Sequence, residues 1–162
     1  MSRWVVLVAL ALVGVTFVAA GAKDDKEVAA PATAPTTGPA KEVAMQTLRD
    51  LLAAIEGKDY DRAMGLMVLG NMKREDAPAA LQKLLELREV SAKGIDIIAA
   101  QGKWGTLTEV VGAERAKLML RRAGGAPVES CYMITLRNAE AGFVWDGKAF
   151  KVFRLNNVGQ LE

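Results

Sequence analysis

The stretch Cys131–Leu155, CYMITLRNAEAGFVWDGKAFKVFRL, constrains the fold of this chain more than any other. It contains three runs rich in β-branched and aromatic residues, separated by turn signals at Asn138-Ala139 and Asp146-Gly147. Asp146-Gly147 suits a two-residue type I′ turn, because both central positions of that turn need positive φ. With a second two-residue turn at Asn138-Ala139, the sequence predicts a three-stranded antiparallel meander.

The two predicted turns place the same apolar residues on one side of the sheet, although each register is derived separately. The Asn138-Ala139 turn pairs Tyr132 with Trp145, and the Asp146-Gly147 turn pairs Phe143 with Phe150. A slip of one residue at either turn would send these side chains to opposite faces. The predicted apolar face consists of Tyr132, Ile134, Leu136, Ala141, Phe143, Trp145, Phe150 and Val152.

Helical periodicity predicts three helices in the first half of the chain. Lys41–Glu56 is amphipathic and ends with Gly57 as its C′ residue, and Asp59 caps a second helix over Tyr60–Val68. A third helix follows the predicted cap Asp76. Helices followed by a sheet are typical of an α+β fold.

The segment after the third helix is ambiguous. A helix that is capped by Ser91 and ends at Gly102 competes with a strand, and we favour the helix. Trp104-Gly105 is predicted as a loop, and residues 107–111 as either a short helical turn or an edge strand. Ala113–Ala123 has helical spacing of its small and apolar residues and predicts another helix.

The beginning of the chain indicates export. Arg3 precedes the apolar run Trp4–Ala20, and small residues follow, so residues 1–22 have the pattern of a cleavable signal peptide. An uncleaved anchor is the alternative, because the run reaches the lower limit for a spanning helix. We therefore expect a periplasmic or secreted protein, or a membrane-tethered one if the leader is retained. The Ala/Pro/Thr-rich residues 23–40 predict a flexible linker, and residues 41–162 a single domain.

Composition excludes several classes of function. The sequence has no histidine, which removes imidazole acid–base catalysis and the usual zinc ligand sets. Its single cysteine, Cys131, cannot form an intramolecular disulfide, and we expect a buried side chain there. A net charge of +2 argues against a nucleic-acid partner. Phosphate-binding glycine loops and nucleophile elbows are missing from the sequence, so we predict no cofactor and no metal.

Two stretches resemble exported members of the NTF2-like superfamily: the GKDYDRAM turn between the first two helices and the closing WDGKAFKVFRL hairpin. In that family, N-terminal helices pack over a strongly curved antiparallel sheet and form a cone with a pocket inside. The resemblance implies such a cone here, with further strands supplied by residues 91–111. If those residues are helical, it implies a truncated cone.

Aromatic residues are the candidate binding residues. Tyr132, Phe143, Trp145 and Phe150 on the apolar face offer large contact area for a small apolar ligand or a peptide. The alternative is that the helices cover this face and make these residues core. Trp104 is the candidate partner-binding residue, since tryptophan is enriched at interface hot spots, with burial at one end of the core as the alternative.

Charged residues and the opposite sheet face supply the competing hypotheses. The resemblance implies an enzyme using a carboxylate or Tyr132 for acid–base chemistry, but the available carboxylates form no recognisable pair. The basic residues of the last predicted helix indicate either an anion site or a solvated face. An open second face, with Met133, Val144 and Phe153, would indicate a structural homodimer. The carboxylates are Asp59, Asp61, Asp96, Glu129 and Asp146, and the basic residues are Arg115, Lys117, Arg121 and Arg122. We favour a non-catalytic exported binding domain.

Overall fold

A computed structural model describes residues 39–70 and 72–161, and it has helices followed by an antiparallel sheet. The predicted α+β class is confirmed. The predicted signal peptide, residues 1–22, and most of the predicted linker lie outside the described residues.

The helices are α1 (Pro39–Glu56), α2 (Tyr60–Gly65), α3 (Ala77–Glu86), α4 (Ala92–Gln101), α5 (Leu107–Val111) and α6 (Ala113–Leu120). The strands are β1 (Lys103–Thr106), β2 (Cys131–Leu136), β3 (Ala139–Trp145) and β4 (Phe150–Asn156). Among the described residues, no helix combines the length and apolar character needed to cross a membrane.

Helix α1 ends at Glu56 as predicted, but its C′ residue lies one position later than predicted. The left-handed residue is Lys58, with φ of 57°, and not Gly57. The Asp59 N–H donates to the Ala54 carbonyl at 2.8 Å and the Lys58 N–H to the Ile55 carbonyl at 3.0 Å. These two bonds form a Schellman motif with Lys58 at C′. The buried stripe of α1 consists of Ala44, Met45, Leu48, Leu51, Leu52, Ala54 and Ile55.

Helix α2 is shorter than predicted because the chain after it joins the sheet. Asp59 caps it as expected, accepting a hydrogen bond from the Arg62 N–H at 3.1 Å. Beyond Gly65, Met67 forms a parallel bridge with Val152 of β4. A helix continuing to Val68 would forbid that pairing. At α3, Asp76 is the N-cap residue as predicted, but its side chain makes no capping hydrogen bond.

The ambiguous segment contains both helix and strand. The Ser91 hydroxyl accepts from the Gly94 N–H at 3.1 Å, and α4 ends at Gly102, which confirms the favoured helix. The predicted loop at Trp104-Gly105 is wrong, because these residues belong to β1, which pairs antiparallel with β2. Residues 107–111 form α5, whose first turn is closed by a capping box of Thr106 and Glu109.

The four strands lie in the order β1-β2-β3-β4, and each predicted hairpin is shifted by two residues next to its turn. A further shift of one residue between β3 and β4 occurs at Gly142/Phe143. Leu136 lies opposite Ala139, so the first turn is Arg137-Asn138 with Arg137 left-handed at φ 56°. Trp145 lies opposite Phe150, so residues 146–149 form a longer connection. The turn predicted at Asn138-Ala139 is therefore displaced by one residue, and the two-residue length predicted at Asp146-Gly147 is wrong because the connection there has four residues. An even shift preserves strand alternation, and all eight predicted residues still pack in or against one core.

The sheet is covered by helices on both faces. The first core combines the predicted apolar face with side chains of α1, α2, α3 and α4. The second core places Leu107 of α5 and Met119 of α6 against the opposite sheet face. Met133, Val144 and Phe153, the residues of the alternative homodimer surface, are buried there within the same chain. The open second face that the homodimer hypothesis requires is therefore not found in the part of the chain that the structure describes.

Candidate functional site

The structure brings all five candidate aromatic residues together in one group, the aromatic cluster. It consists of Trp104, Tyr132, Phe143, Trp145 and Phe150. Pairing of β1 with β2 places Trp104 beside Tyr132, and their rings stack with centroids 5.6 Å apart and planes 9° from parallel. Trp104 was predicted as a separate partner-binding residue because its strand was not recognised. In the structure it belongs to the same group as the four ligand-binding candidates.

Phe150 lies at the centre of the aromatic cluster. Its ring centroid is 4.9 Å from that of Trp145 and 5.6 Å from that of Tyr132. Phe143 and Trp104 follow at 6.0 and 6.1 Å. All four distances fall in the range that aromatic pairs prefer, and three of the four pairs are edge-to-face. The central ring therefore fixes the positions of the rings around it.

Burial divides the aromatic cluster into a base and a rim. Phe143 and Phe150 are 0% and 3% exposed, so they form the base and act as core residues. Trp104 and Trp145 are half-buried, and Tyr132 retains 7% exposure. These three residues form what we call the aromatic rim. Only the rim offers surface to a ligand.

The aromatic rim has polar atoms available. Every buried side-chain nitrogen or oxygen among the described residues has a hydrogen-bond partner. Within the part of the chain that the structure describes, the Tyr132 hydroxyl and the Trp104 and Trp145 indole N–H groups make no hydrogen bond. These three groups therefore reach the molecular surface, where they can bind a ligand's acceptor atoms beside the apolar ring faces.

The carboxylates suggested for acid–base chemistry lie apart from one another at the surface. Asp61 pairs with Arg74 at 2.6 Å, and Asp96 pairs with Arg49 at 2.9 Å. The exposed Asp59 caps α2, and the exposed Glu129 lies in the 3-10 turn Val128–Ser130. Each side chain in this group is on the protein exterior, so the arrangement offers no paired carboxylates for catalysis.

Asp146 is the one candidate carboxylate next to the aromatic rim. Its Oδ1 accepts hydrogen bonds from the backbone N–H groups of Ala149 at 2.9 Å and Lys148 at 3.0 Å. These two bonds hold the pKa of Asp146 below its ordinary value. A general acid needs the opposite shift, since it must keep its proton near neutral pH. Asp146 therefore shapes the turn that carries Trp145.

Glu140 is a charged residue of the interior that sequence reasoning missed. It is 5% exposed, and its Oε2 lies 2.9 Å from Arg115 of α6, while Oε1 accepts from Arg154 Nε at 2.5 Å. The turn predicted at Asn138-Ala139 places Glu140 directly after the turn, opposite Arg137, and gives no sign of its burial. A single glutamate inside the run AEAGFVW, on the face opposite the aromatic residues, was the available signal.

The basic residues of α6 and the turn after it have two kinds of surroundings. Arg115 is held by Glu140, and Lys117 lies 2.9 Å from Glu114. Arg121 and Arg122 are exposed and line a groove outside the aromatic cluster. The four basic residues thus do not act as one surface.

Comparisons with family models, with curated proteins and with solved structures each returned no match. Within residues 39–70 and 72–161, no group of Cys, Asp and Glu side chains has an arrangement suited to a metal ion. The aromatic rim and its geometry are therefore the basis for inferring a function.

Proposed function

We propose that this chain is an exported, non-catalytic binding domain that holds a small apolar ligand or an apolar peptide side chain at the aromatic rim. The observation that carries the proposal is the convergence of Trp104, Tyr132 and Trp145 from three different strands, with their polar atoms at the surface. Aromatic walls with a few polar groups are the usual composition of a ligand site. The candidate carboxylates lie outside this group or shape a turn, so we favour binding over catalysis.

The rim is suited to binding because its residues are held before any ligand arrives. Trp104 stacks on Tyr132, and Trp145 packs on the buried Phe150. Rings fixed in this way lose little rotamer entropy when they contact a ligand. A preorganised surface of this kind can bind even a small ligand with useful affinity.

For the architecture, we propose a truncated relative of the NTF2-like fold. Its support is the packing of N-terminal helices on one face of the sheet, together with a fourth strand from residues 103–106. The bulge at Gly142/Phe143 adds local bending to the sheet, as a curved sheet requires. The α5–α6 layer on the other face lies outside what the resemblance implies. Export rests on the residues 1–22, and we propose a periplasmic or secreted location.

Tryptophan fluorescence tests the binding proposal directly. The chain has three tryptophans, so Trp4→Phe leaves only Trp104 and Trp145 as donors. The neutral apolar dye N-phenyl-1-naphthylamine is titrated into this full-length variant, and energy transfer to the dye is followed. We expect saturable binding that Trp104→Ala weakens by about tenfold, the effect of a typical aromatic anchor.

Leu118→Ala is the matched control, because Leu118 is 68% exposed on α6, away from the aromatic cluster. We expect this variant to bind the dye as the parent does. Circular dichroism of each variant shows whether the fold is retained, and Trp104→Phe keeps an aromatic ring there if alanine disrupts packing. Dye binding that is unsaturable, or equal in the parent and both Trp104 variants, would refute the proposed site.

A further inference from the structure

A concave surface lies where the chain after α6 meets the segment after α2. We call it the arginine groove, and its volume is about 660 Å³. Cavities of roughly 300–1,000 Å³ are typical of small-molecule sites. The arginine groove is lined by Val68, Leu69, Gly70, Arg121, Arg122, Gly124 and Phe153.

The walls of the arginine groove are fixed by the sheet. The Val68 N–H donates to the Val152 carbonyl at 2.9 Å, and the Val152 N–H donates to the Leu66 carbonyl at 2.8 Å. On the opposite wall, Gly124 has φ of 67° and lies so close that a Cβ there would be 3.1 Å from Val68 Cγ1. Phe153 belongs to the second core and is 8% exposed. An occupant would therefore meet a preformed surface with an apolar floor.

The charge of the arginine groove is uncompensated. Arg115 and Lys117 each have an acidic partner, but no ion pair of Arg121 or Arg122 occurs among the described residues. Both arginines follow the last turn of α6, where positive charge complements the helix dipole. The dipole accounts for a basic residue at this end, but not for two guanidinium groups beside a groove with an apolar floor.

We infer that the arginine groove binds a small organic carboxylate, with its carboxylate at Arg121 and Arg122 and its short apolar part against Phe153 and Val68. The planar guanidinium group donates two parallel hydrogen bonds to a carboxylate, which a lysine cannot do. Phe153 packs in the second core, whereas the aromatic rim adjoins the first. This inference therefore does not depend on the proposed function of the rim.

Octanoate is the probe, titrated into the full-length protein by isothermal calorimetry. We expect saturable binding that Arg121→Gln combined with Arg122→Gln weakens by at least about tenfold, the usual effect of losing charge-assisted hydrogen bonds. Lys117→Gln removes a positive charge from the same helix outside the groove, and we expect it to change the affinity by less than about twofold. Acetate lacks the apolar chain of octanoate, and octyltrimethylammonium keeps the chain but carries a positive charge. Each should bind at least about tenfold more weakly than octanoate.

Several results would overturn the inference. Octanoate that shows no saturable binding excludes the site, and equal affinity in the double arginine variant places the ligand elsewhere. If acetate binds as tightly as octanoate, the apolar floor has no role and the assigned ligand class is wrong. If Lys117→Gln weakens binding as much as the double variant, the attraction is general charge and not the groove. The rim variant Trp104→Ala should leave octanoate binding unchanged.

Discussion

Glu140 carries a carboxylate into the second core, where Arg115 and Arg154 neutralise it. Removing one partner of a buried ion pair is costly, because the remaining charges lose their compensation. Arg115 is 57% exposed at its side chain and can be solvated, but the Arg154 side chain is only 20% exposed. We therefore predict that Glu140→Gln lowers the free energy of unfolding by about 2–3 kcal/mol, below the full range for buried pairs.

Urea denaturation at neutral pH measures this effect of Glu140→Gln. Glu114→Gln is the matched control, since it removes an exposed pair with Lys117 on α6, and we expect a change below about 0.5 kcal/mol. Equal stability of the two variants would show that Glu140 contributes no more than a surface charge.

Asp146 gives the turn before β4 a dependence on pH. The backbone N–H groups of Ala149 and Lys148 lower its pKa in the folded state. A lowered folded-state pKa means that the carboxylate stabilises the fold above its unfolded pKa and loses this effect as pH falls through the folded value. We predict that Asp146→Ala is less stable than the parent at neutral pH, and that the difference shrinks below about pH 4.

Urea titrations over a series of pH values follow the difference between the parent and Asp146→Ala. Asp146→Asn keeps an acceptor oxygen but cannot ionise. Its stability should therefore lack the decrease at acid pH that protonation of the Asp146 carboxylate causes in the parent. A parent–alanine difference that stays constant through acid pH would contradict the role of the ionised side chain.

Single residues also show where sequence reasoning succeeds and fails. The caps Asp59 and Ser91 were predictable, because a side-chain acceptor next to a helix acts locally. The positions where the backbone is left-handed were not predictable from the sequence. Lys58 and Arg137 adopt positive φ although glycine or asparagine lies one residue away. Packing of the following chain decides which residue bears the small cost of this conformation.

Helix α4 illustrates how an element is held by close backbone contact. A Cβ added at Gly94 would lie 1.8 Å from the Val158 carbonyl oxygen, which belongs to the 3-10 turn near the end of the chain. Alanine normally favours a helix over glycine by about 1 kcal/mol. Here the clash outweighs that gain, so we predict that Gly94→Ala destabilises the fold by about 1–3 kcal/mol.

Gly65→Ala is the matched control for Gly94→Ala. Gly65 ends α2 and has nothing within 4 Å of the position that a Cβ would take. We expect Gly65→Ala to be neutral or to stabilise by up to about 1 kcal/mol. Thermal unfolding followed by circular dichroism compares the two variants. A Gly94→Ala variant at least as stable as the parent would mean that α4 does not rest on the Val158 turn.

At the scale of elements, the sequence predicted the helices and the apolar sheet face, but not how the strands are joined. Next to their turns both hairpins lie two residues from the predicted register, and an even shift leaves each side chain on its predicted face. Strand β1 has four residues, two of them Trp104-Gly105, and a run this short shows no periodicity. Beside the register shift at Gly142, the ring of Phe153 lies 2.6 Å from the position that a Cβ of Gly142 would take. That contact forms only after β4 is in place.

At the scale of the whole molecule, the sheet separates two cores that are covered by helices of different length. The first core contains the 18-residue α1, whereas α5 and α6, which cover the second, have 5 and 8 residues. Sequence reasoning predicted a helix near α6 but assigned it no sheet face, because helical spacing does not reveal the partner. Short helices with fewer buried contacts open at lower free energy than the rest of a fold. We therefore expect the α5–α6 layer to open separately.

Cys131 reports on that opening, since it is the only cysteine of the chain and is fully buried in the second core. Burial raises the pKa of its thiol to about 11, with a smaller contribution from the nearby Glu129 charge. A buried thiol that is mostly protonated reacts with iodoacetamide only when the layer above it opens. We predict that Cys131 is labelled slowly. The urea dependence of its labelling rate should be weaker than that of global unfolding, because opening one layer exposes less surface.

A cysteine in the first core provides the comparison for Cys131. Ala44→Cys in a Cys131→Ala background places the thiol on α1, at a position that is 0% exposed, where labelling should follow global unfolding. Mass spectrometry gives both labelling rates over the same urea series. Two equal urea dependences would mean that the sheet and both helical layers unfold as one unit. A weaker dependence at Cys131 alone would assign the lower stability to the α5–α6 layer, which also bears the wall of the arginine groove that contains Arg121 and Arg122.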